Sequence, residues 1–378
     1  MLLVLACVGL ATGLGLAFLT HAPNRLVTGR AISLAAAVSG ARLIALLPGL
    51  ALLAGPFLPQ RRSAHYLVAA AAAAFLVALL WLAGAQAAVL AEISPRAART
   101  SLGGAFWGLF ICAALALVDA EHRLRLRPGS RLLAGAAVAG AILFLAGSGA
   151  LDQLAIMREY AARRSVFADA IIRHIAIVLG ALLPTVLLGA PLGILAQRRP
   201  RLRAGLFPAL NLVQTIPSIA LFGLLIAPLS GLAGFFPGLA ALGVAGVGVT
   251  PAIIAVVLYS LLPIVRNTTE GLDAVSPAAV EAARGIGMTR GQIFFHVEMP
   301  LALPVFLSGL RIATVQAVGL VAVAALIGAG GLGAIMFQGL FADALDLVLL
   351  GAVPIILLAL AADALLDLAG KLGRRRPA

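Results

Sequence analysis

Lys371 is the only lysine in the chain, and Leu372 follows it. A phosphate-binding P-loop needs a glycine-rich turn, then a lysine, then Ser or Thr. The chain therefore cannot form a Walker A site, and it is not expected to be an enzyme that hydrolyses nucleotide. Histidines 21, 65, 122, 174 and 296 are scattered without ligand spacing, so no metal or cofactor is expected. Cys7 and Cys112 both lie in apolar runs and read as small membrane-buried side chains. Gly328, Gly330 and Gly333 satisfy G-x-G-x-x-G. That fingerprint needs a preceding strand inside a soluble βαβ unit. Here it ends an apolar run, so close packing and a helix break explain it better.

Polar side chains inside apolar runs are the next candidates. Asn211, Gln214, Thr215 and Ser218 fall at i, i+3, i+4 and i+7, which would make one polar stripe on a single helix. Polar groups are costly against lipid, so the stripe should face protein or water. It reads either as lining of a translocation path or as helix–helix hydrogen bonding, and Pro217 should kink its helix. Ser308, Arg311 and Thr314 share a second face, with Gln316 nearby. Arg311 either snorkels to the membrane surface or fixes a charge near an inner gate. Asp363 and Asp367 lie near the end of the last apolar run; most runs hold no acid in their middle. An ion-coupled secondary transporter would need such buried acids.

The stretch 263–304 is the long polar connection that follows the run 238–262. Ser276 and Pro277 start a helix, PAAVEAAR, that stops at Gly285 or Gly287. Thr289 and Gln292 fit a capping box for a second short helix, which Pro300 is expected to end. Two short helices with a glycine bend make a compact protruding element, and Ala282 and Ala283 offer a small surface for close approach.

This stretch resembles the EAA loop of the membrane subunits of ABC importers. The family pattern is Glu-Ala-Ala, three residues, Gly, nine residues, then Ile-x-Leu-Pro. Here it stands as Glu281, Ala282, Ala283, Gly287, then Val297, Glu298, Met299 and Pro300. Val and Met replace Ile and Leu at similar bulk. The resemblance implies that the loop docks into a groove on a separate ATPase subunit. Glu281 would anchor the dock, Gly287 would set the bend, and the loop would pass ATPase closure to the helices on either side. A narrower resemblance joins the core from 150 to 369 to permeases for glycine betaine, choline and related osmoprotectants. It rests on PLGILAQRRPRL (191–202), NLVQTIPSIALFGLL (211–225), SGLRIATVQAVG (308–319) and IGAGGLG (327–333). Through HAPNRLVTG (21–29) and ARTSLGGAFW (98–107), the N-terminal half resembles a subgroup with extra leading helices. These resemblances imply two ATPase subunits, a second permease copy or homologous permease, and an extracytoplasmic substrate-binding protein as partners. A quaternary ammonium is normally held by an aromatic cage. None is visible in the core, so selectivity is expected in the binding protein.

The elements that must position these residues follow from composition. Of 378 residues, 62% are hydrophobic and 11% are charged, and mean hydropathy is +1.12. That excess is too large for a water-facing surface. The expected fold class is an all-α polytopic membrane protein of about ten transmembrane helices. The resemblance implies that the C-terminal five form a type I ABC importer permease core. The candidate spans are 2–19, 41–58, 65–90, 102–118, 132–149, 174–196, 205–228, 238–262, 304–329 and 346–369. No basic residue precedes the first, so it is expected to be an uncleaved helix rather than a signal peptide. The net charge of +13 is carried almost wholly by arginine, in short clusters between apolar runs rather than on one basic face. Nucleic acid is therefore not an expected partner; the lipid bilayer is. The clusters after even-numbered spans (Arg61 and Arg62, Arg123 to Arg131, Arg198 to Arg203, Arg266 to Arg290, Lys371 to Arg376) place those loops in the cytoplasm of a bacterial inner membrane. Arg158, Arg163, Arg164 and Arg173 are the exception outside.

The expected domains are an N-terminal membrane extension at 1–149 and an amphipathic linker helix at 150–173. A permease domain at 174–369 and a basic tail at 370–378 follow. The alternative solute is another small molecule such as an amino acid, and an ion-coupled secondary transporter or a non-transporting membrane scaffold is the alternative of a different class.

Overall fold

The computed structural model describes residues 1–24, 27–126 and 128–373. Arg127 and Arg374 to Arg376, part of the basic clusters named above, lie outside the described residues. The chain divides into two compact units, Met1–Ala162 and Arg163–Ala378. Among the described residues, nine helices are long and apolar enough to cross a membrane.

The first unit runs α1 (Leu2–Gly15), β1 (Leu19–Ala22), β2 (Arg30–Ile32), α2 (Leu34–Ala37), α3 (Leu47–Ala54), α4 (Arg62–Glu92), β3 (Arg99–Leu102), α5 (Gly104–Leu124), α6 (Pro128–Gly147) and α7 (Ala155–Ala162). The expectation of a first span over 2–19 is corrected here. The helix stops at Gly15, and the chain turns into a three-stranded antiparallel sheet of order β2-β1-β3. Gly103 permits this turn: a Cβ there would stand 2.2 Å from the Ala17 carbonyl oxygen. The second span, 41–58, is composite, with 3₁₀ turns at Gly40–Leu46 and Gly55–Phe57 flanking α3. Its core joins α4 and α5 to the sheet, with Phe18, Leu19, Leu79, Leu82 and Phe106 buried together.

The second unit runs α8 (Arg164–Arg198), α9 (Pro200–Thr215), α10 (Ser218–Phe235), α11 (Pro237–Ala241), α12 (Val249–Asp273), α13 (Pro277–Gly285), α14 (Arg290–Ile293), α15 (Met299–Ala324), α16 (Leu332–Phe341) and α17 (Leu345–Gly373). The expected linker helix over 150–173 is also corrected. Its sequence is shared between α7 and the first turns of α8, which break at Arg163. The residues from 164 onward hold no proline or glycine until Gly180, so nothing stops the helix from running on into the apolar stretch.

Helix α12 is the centre of this unit, with 67% of its apolar window buried. Small residues set its neighbours' approach, as they do between membrane helices generally. A Cβ on Gly193 would meet Thr268 at 2.6 Å, and one on Gly189 would meet Ile264 at 2.7 Å. These contacts advance together along both chains, so α8 and α12 run parallel. Gly271 lies against Ala302, and Gly309 lies against Pro263 and Asn267, so α15 returns antiparallel to α12. One end of the unit therefore gathers the C-termini of α8 and α12 and the start of α15. The other end gathers Arg173, Gly248 and the turn 325–331, where Gly248 N–H donates to the Ile327 carbonyl at 2.7 Å.

Candidate coupling loop and path-facing helices

Residues 274–298 leave the basic end of the second unit as a protruding loop. Ser276 occupies the N-cap of α13, but its side chain makes no capping bond; only its carbonyl accepts, from Ala279 and Val280. At the other end the helix closes with two reversed bonds. Met288 N–H donates to Ala283 O at 3.1 Å, and Gly287 N–H donates to Arg284 O at 2.9 Å. This is a complete Schellman closure, and it needs a left-handed residue after the cap. Gly287 supplies it, with φ of +85°. The glycine of the loop pattern is thus required by the backbone.

Thr289 and Gln292 form the reciprocal capping box of α14. Thr289 N–H donates to Gln292 Oε1 at 2.8 Å, and Gln292 N–H donates to Thr289 Oγ1. Pro300 does not end the helix that follows, contrary to the sequence-based expectation. The chain widens into a π turn at Phe294–Glu298 and continues into α15, where Pro300 occupies the first turn. A proline lacks an N–H and its ring crowds the carbonyl four residues back. The wider turn moves that carbonyl aside. The loop helix and the membrane helix are consequently one continuous element, Arg290–Ile327.

Among the pattern residues, Glu281, Ala282, Gly287, Met299 and Pro300 are exposed, Val297 is half-buried and Ala283 is buried. Ala283 packs inward and fixes the bend, while Glu281 and Ala282 face out. Ile286, absent from the pattern, is 76% exposed at the bend, and Phe295 is 61% exposed on the π turn. Sequence reasoning missed both; an apolar residue between two turn glycines was the available signal. Behind the loop lies a cleft of about 900 Å³ lined by Arg198, Arg284, Arg290, Phe294 and Glu298. Arg198 stacks over Phe294 at 5.2 Å. Arg203 pairs with Asp273 at 2.7 Å, fastening α9 to the end of α12.

The polar stripe is not one stripe. The helix breaks between Thr215 and Ser218, because the residue before a proline is pushed out of the helical region. Ile216 sits at φ −70° and ψ 127°. Asn211 and Thr215 are exposed on α9, and the Thr215 hydroxyl donates to its own helix at Leu212 O. Gln214 Nε2 donates to Tyr259 O at 2.8 Å, and the Tyr259 hydroxyl donates to Ile216 O. Pro217 is the N-cap of α10, and Ser218 begins that separate helix. The break is thus stitched to α12 by Tyr259.

On α15, Thr314 is buried and donates to Leu310 O at 2.7 Å, while Gln316 is half-buried. Arg311 does not stand free. It makes two hydrogen bonds to Asp363 on α17, Nη2 to Oδ2 at 2.6 Å and Nε to Oδ1, with Asp367 3.5 Å away. Lys371 pairs with the same Asp367. The sequence placed all four groups near one end of their spans but gave no sign that they meet. The glycine turn after α15 has Gly328, Gly330 and Gly331 at positive φ and no strand before it. Arg173 Nε holds it through Ala329 O at 2.7 Å.

An all-helical membrane unit with a capped, exposed loop continuous with one of its spans is the architecture of an ABC transporter permease. Two family profiles match the chain: "ABC transporter permease YehY, N-terminal domain" over residues 1–157, and "Binding-protein-dependent transport system inner membrane component" over 186–372. The chain is 46% identical over 194 residues to the osmoprotectant import permease protein OsmW of Salmonella typhimurium, covering 51% of this chain and 85% of that protein. It is 38% identical over 192 residues to the glycine betaine/carnitine/choline transport system permease protein OpuCD of Bacillus subtilis, covering 50% and 77%. It is 36% identical over 217 residues to the choline transport system permease protein OpuBD of Bacillus subtilis, covering 57% and 88%. Among solved structures, an inward-facing form of the MetNI methionine ABC transporter aligns at 22% identity and TM-score 0.46, covering 55% of this chain and 97% of that one. The chain belongs to the family of binding-protein-dependent transport system inner membrane components, and is a multi-pass ABC transporter permease.

Proposed function

We propose that this chain forms the translocation path of an ATP-driven importer for glycine betaine, choline or a related osmoprotectant. Three relatives that it covers at 77% to 88% of their length carry these solutes in their names. Two ATPase subunits, a second permease copy or homologous permease and an extracytoplasmic binding protein complete the assembly. The inner membrane is its place, with the loop 274–298 in the cytoplasm. The basic end of the second unit supports that orientation, since Arg198, Arg203, Arg284 and Arg290 cluster beside the loop.

The carrying observation is the loop itself. A Schellman closure at Gly287 and a capping box at Thr289 make it stiff, and the π turn makes it continuous with α15. ATP binding closes the ATPase pair, the closure pushes Glu281, Ala282 and Ile286, and α12 and α15 move as rigid bodies. Hydrolysis reverses the motion. Gln214, Thr215, Pro217, Ser218 and Asn211 on the α9–α10 break, with Thr314 and Gln316 on α15, border the path, and Arg311 is held away from it by Asp363 on α17. The Arg311 charge, which a cationic solute would otherwise meet, is neutralised by Asp363 and Asp367.

Reconstitution with the ATPase and binding protein tests the reading. Labelled glycine betaine and choline should enter ATP-loaded proteoliposomes with ionophores present. Uptake that collapses with the ion gradient would replace this reading with ion-coupled transport. ATP-driven uptake of an amino acid instead would keep the mechanism and change the solute.

A further inference from the structure

Four charged side chains meet where α15 and α17 pack together. Asp363, Asp367 and Lys371 follow one another at i, i+4 and i+8, so they share one face of α17. Arg311 comes from α15, 52 positions away in sequence from Asp363. Its planar fork grips Asp363 through two parallel bonds, a geometry that lysine cannot reproduce. Asp367 lies 3.5 Å from Nη1 and also holds Lys371. The two carboxylates balance the two cations, so the cluster is neutral as a unit. That neutrality is what lets four charges persist in membrane-spanning helices, where a lone charge is costly.

The position of the cluster matters as much as its charge. Helix α15 continues the coupling loop without a break from Arg290. Helix α12 enters the loop from the other side and is packed against α8 and α15 along its length. Helix α17 does not run directly into the loop, and its principal packing is against α15 and α16. Motion delivered at the loop therefore reaches α17 through α15. In the half of α15 nearer the loop, the Arg311 fork is the directional, two-bond contact across that interface. Apolar packing between membrane helices is non-directional, unlike a hydrogen bond. A bidentate ion pair has one register.

We propose that Arg311 and Asp363 are positioning residues that lock α17 to the loop-bearing helix, so that α15 and α17 tilt as one body during the transport cycle. Asp367 and Lys371 hold the cluster neutral and keep the Asp363 face of α17 turned toward Arg311. The inference rests on the proposed coupling role of the loop and extends it to a helix that is not contiguous with the loop.

The test uses the full complex in proteoliposomes, with labelled glycine betaine and choline as probes. Uptake and ATP hydrolysis are measured together for wild type, Asp363→Asn, Arg311→Lys and the swap Arg311→Asp with Asp363→Arg. Glu281→Lys serves as the reference for a broken loop. Asp363→Asn and Arg311→Lys should assemble and hydrolyse ATP at near wild-type rates, with solute moved per ATP lowered by about tenfold or more. The swap should recover much of that ratio, which a role in lining the path would not allow. Normal coupling in Asp363→Asn alongside a dead Glu281→Lys overturns the lock and leaves the loop's role standing. No ATP-driven uptake by wild type overturns both. Failure of every variant, including the swap, to assemble assigns the cluster to folding alone and also overturns the lock.

Discussion

The Tyr259 hydroxyl donates to the Ile216 carbonyl, one of the acceptors stranded where Pro217 interrupts the helix. A carbonyl freed at such a break needs a partner, because each unsatisfied backbone group is costly within a membrane. The same tyrosine's own carbonyl accepts from Gln214 at 2.8 Å. One residue of α12 thus holds the end of α9 at the break through two hydrogen bonds.

Tyr259→Phe keeps the ring and removes the donor. The Ile216 carbonyl loses its partner, and stability should fall by about 1–3 kcal/mol. Thermal unfolding of the detergent-solubilised protein checks this. An unchanged midpoint would mean that the hydroxyl carries no weight at the break.

Gly193→Val tests the parallel packing of α8 on α12. Even the first added carbon would stand 2.6 Å from Thr268 and 2.8 Å from the Val265 carbonyl. The helices must separate, at a cost of about 1–3 kcal/mol or more. Gly205→Ala, with open space around it, is the matched control and should be stable. Equal thermal midpoints for the two variants would contradict the packing described.

Thr289→Ala removes one half of the capping box and should cost the α14 turn about 1 kcal/mol. Amide hydrogen exchange should quicken at 290–293 while α12 stays protected. Uniform protection across the loop would show that the cap is not needed to hold it.

Glu281→Lys reverses an exposed charge and should leave stability within about 0.5 kcal/mol of wild type. It should still abolish ATP-driven uptake while the subunit inserts normally. Gly287→Asp should also abolish uptake, with an added folding cost in the loop from its positive φ. Transport at wild-type rates by both variants would remove the loop from the coupling mechanism.

The loop was the most legible part of the sequence because its structure is made by local rules. Caps, a left-handed glycine and small residues leave their identity at fixed spacing. The membrane helices were legible as apolar runs, but their ends and breaks were less so. Pro217 was visible as a kink; that it would separate Ser218 from the stripe on α9 depended on Ile216 adopting an extended backbone. The strands were invisible because each is only three or four residues long. His21 on β1 reaches Thr100 at 2.9 Å and Ser94 at 3.0 Å, partners more than seventy positions away. Arg311 and Asp363 posed the same difficulty. Each was singled out as a polar residue in an apolar run, but only the antiparallel return of α17 brings them together. Helical periodicity says which residues share a face, and says nothing about which faces meet.

Ile286 offers the most direct test of the coupling role, since it is the most exposed large apolar side chain on the loop. A photoreactive residue placed at 286 should cross-link to the co-expressed ATPase subunit in intact membranes, and ATP should change the yield. Cross-linking to lipid, or labelling from the periplasmic side by an impermeant reagent, would contradict the account.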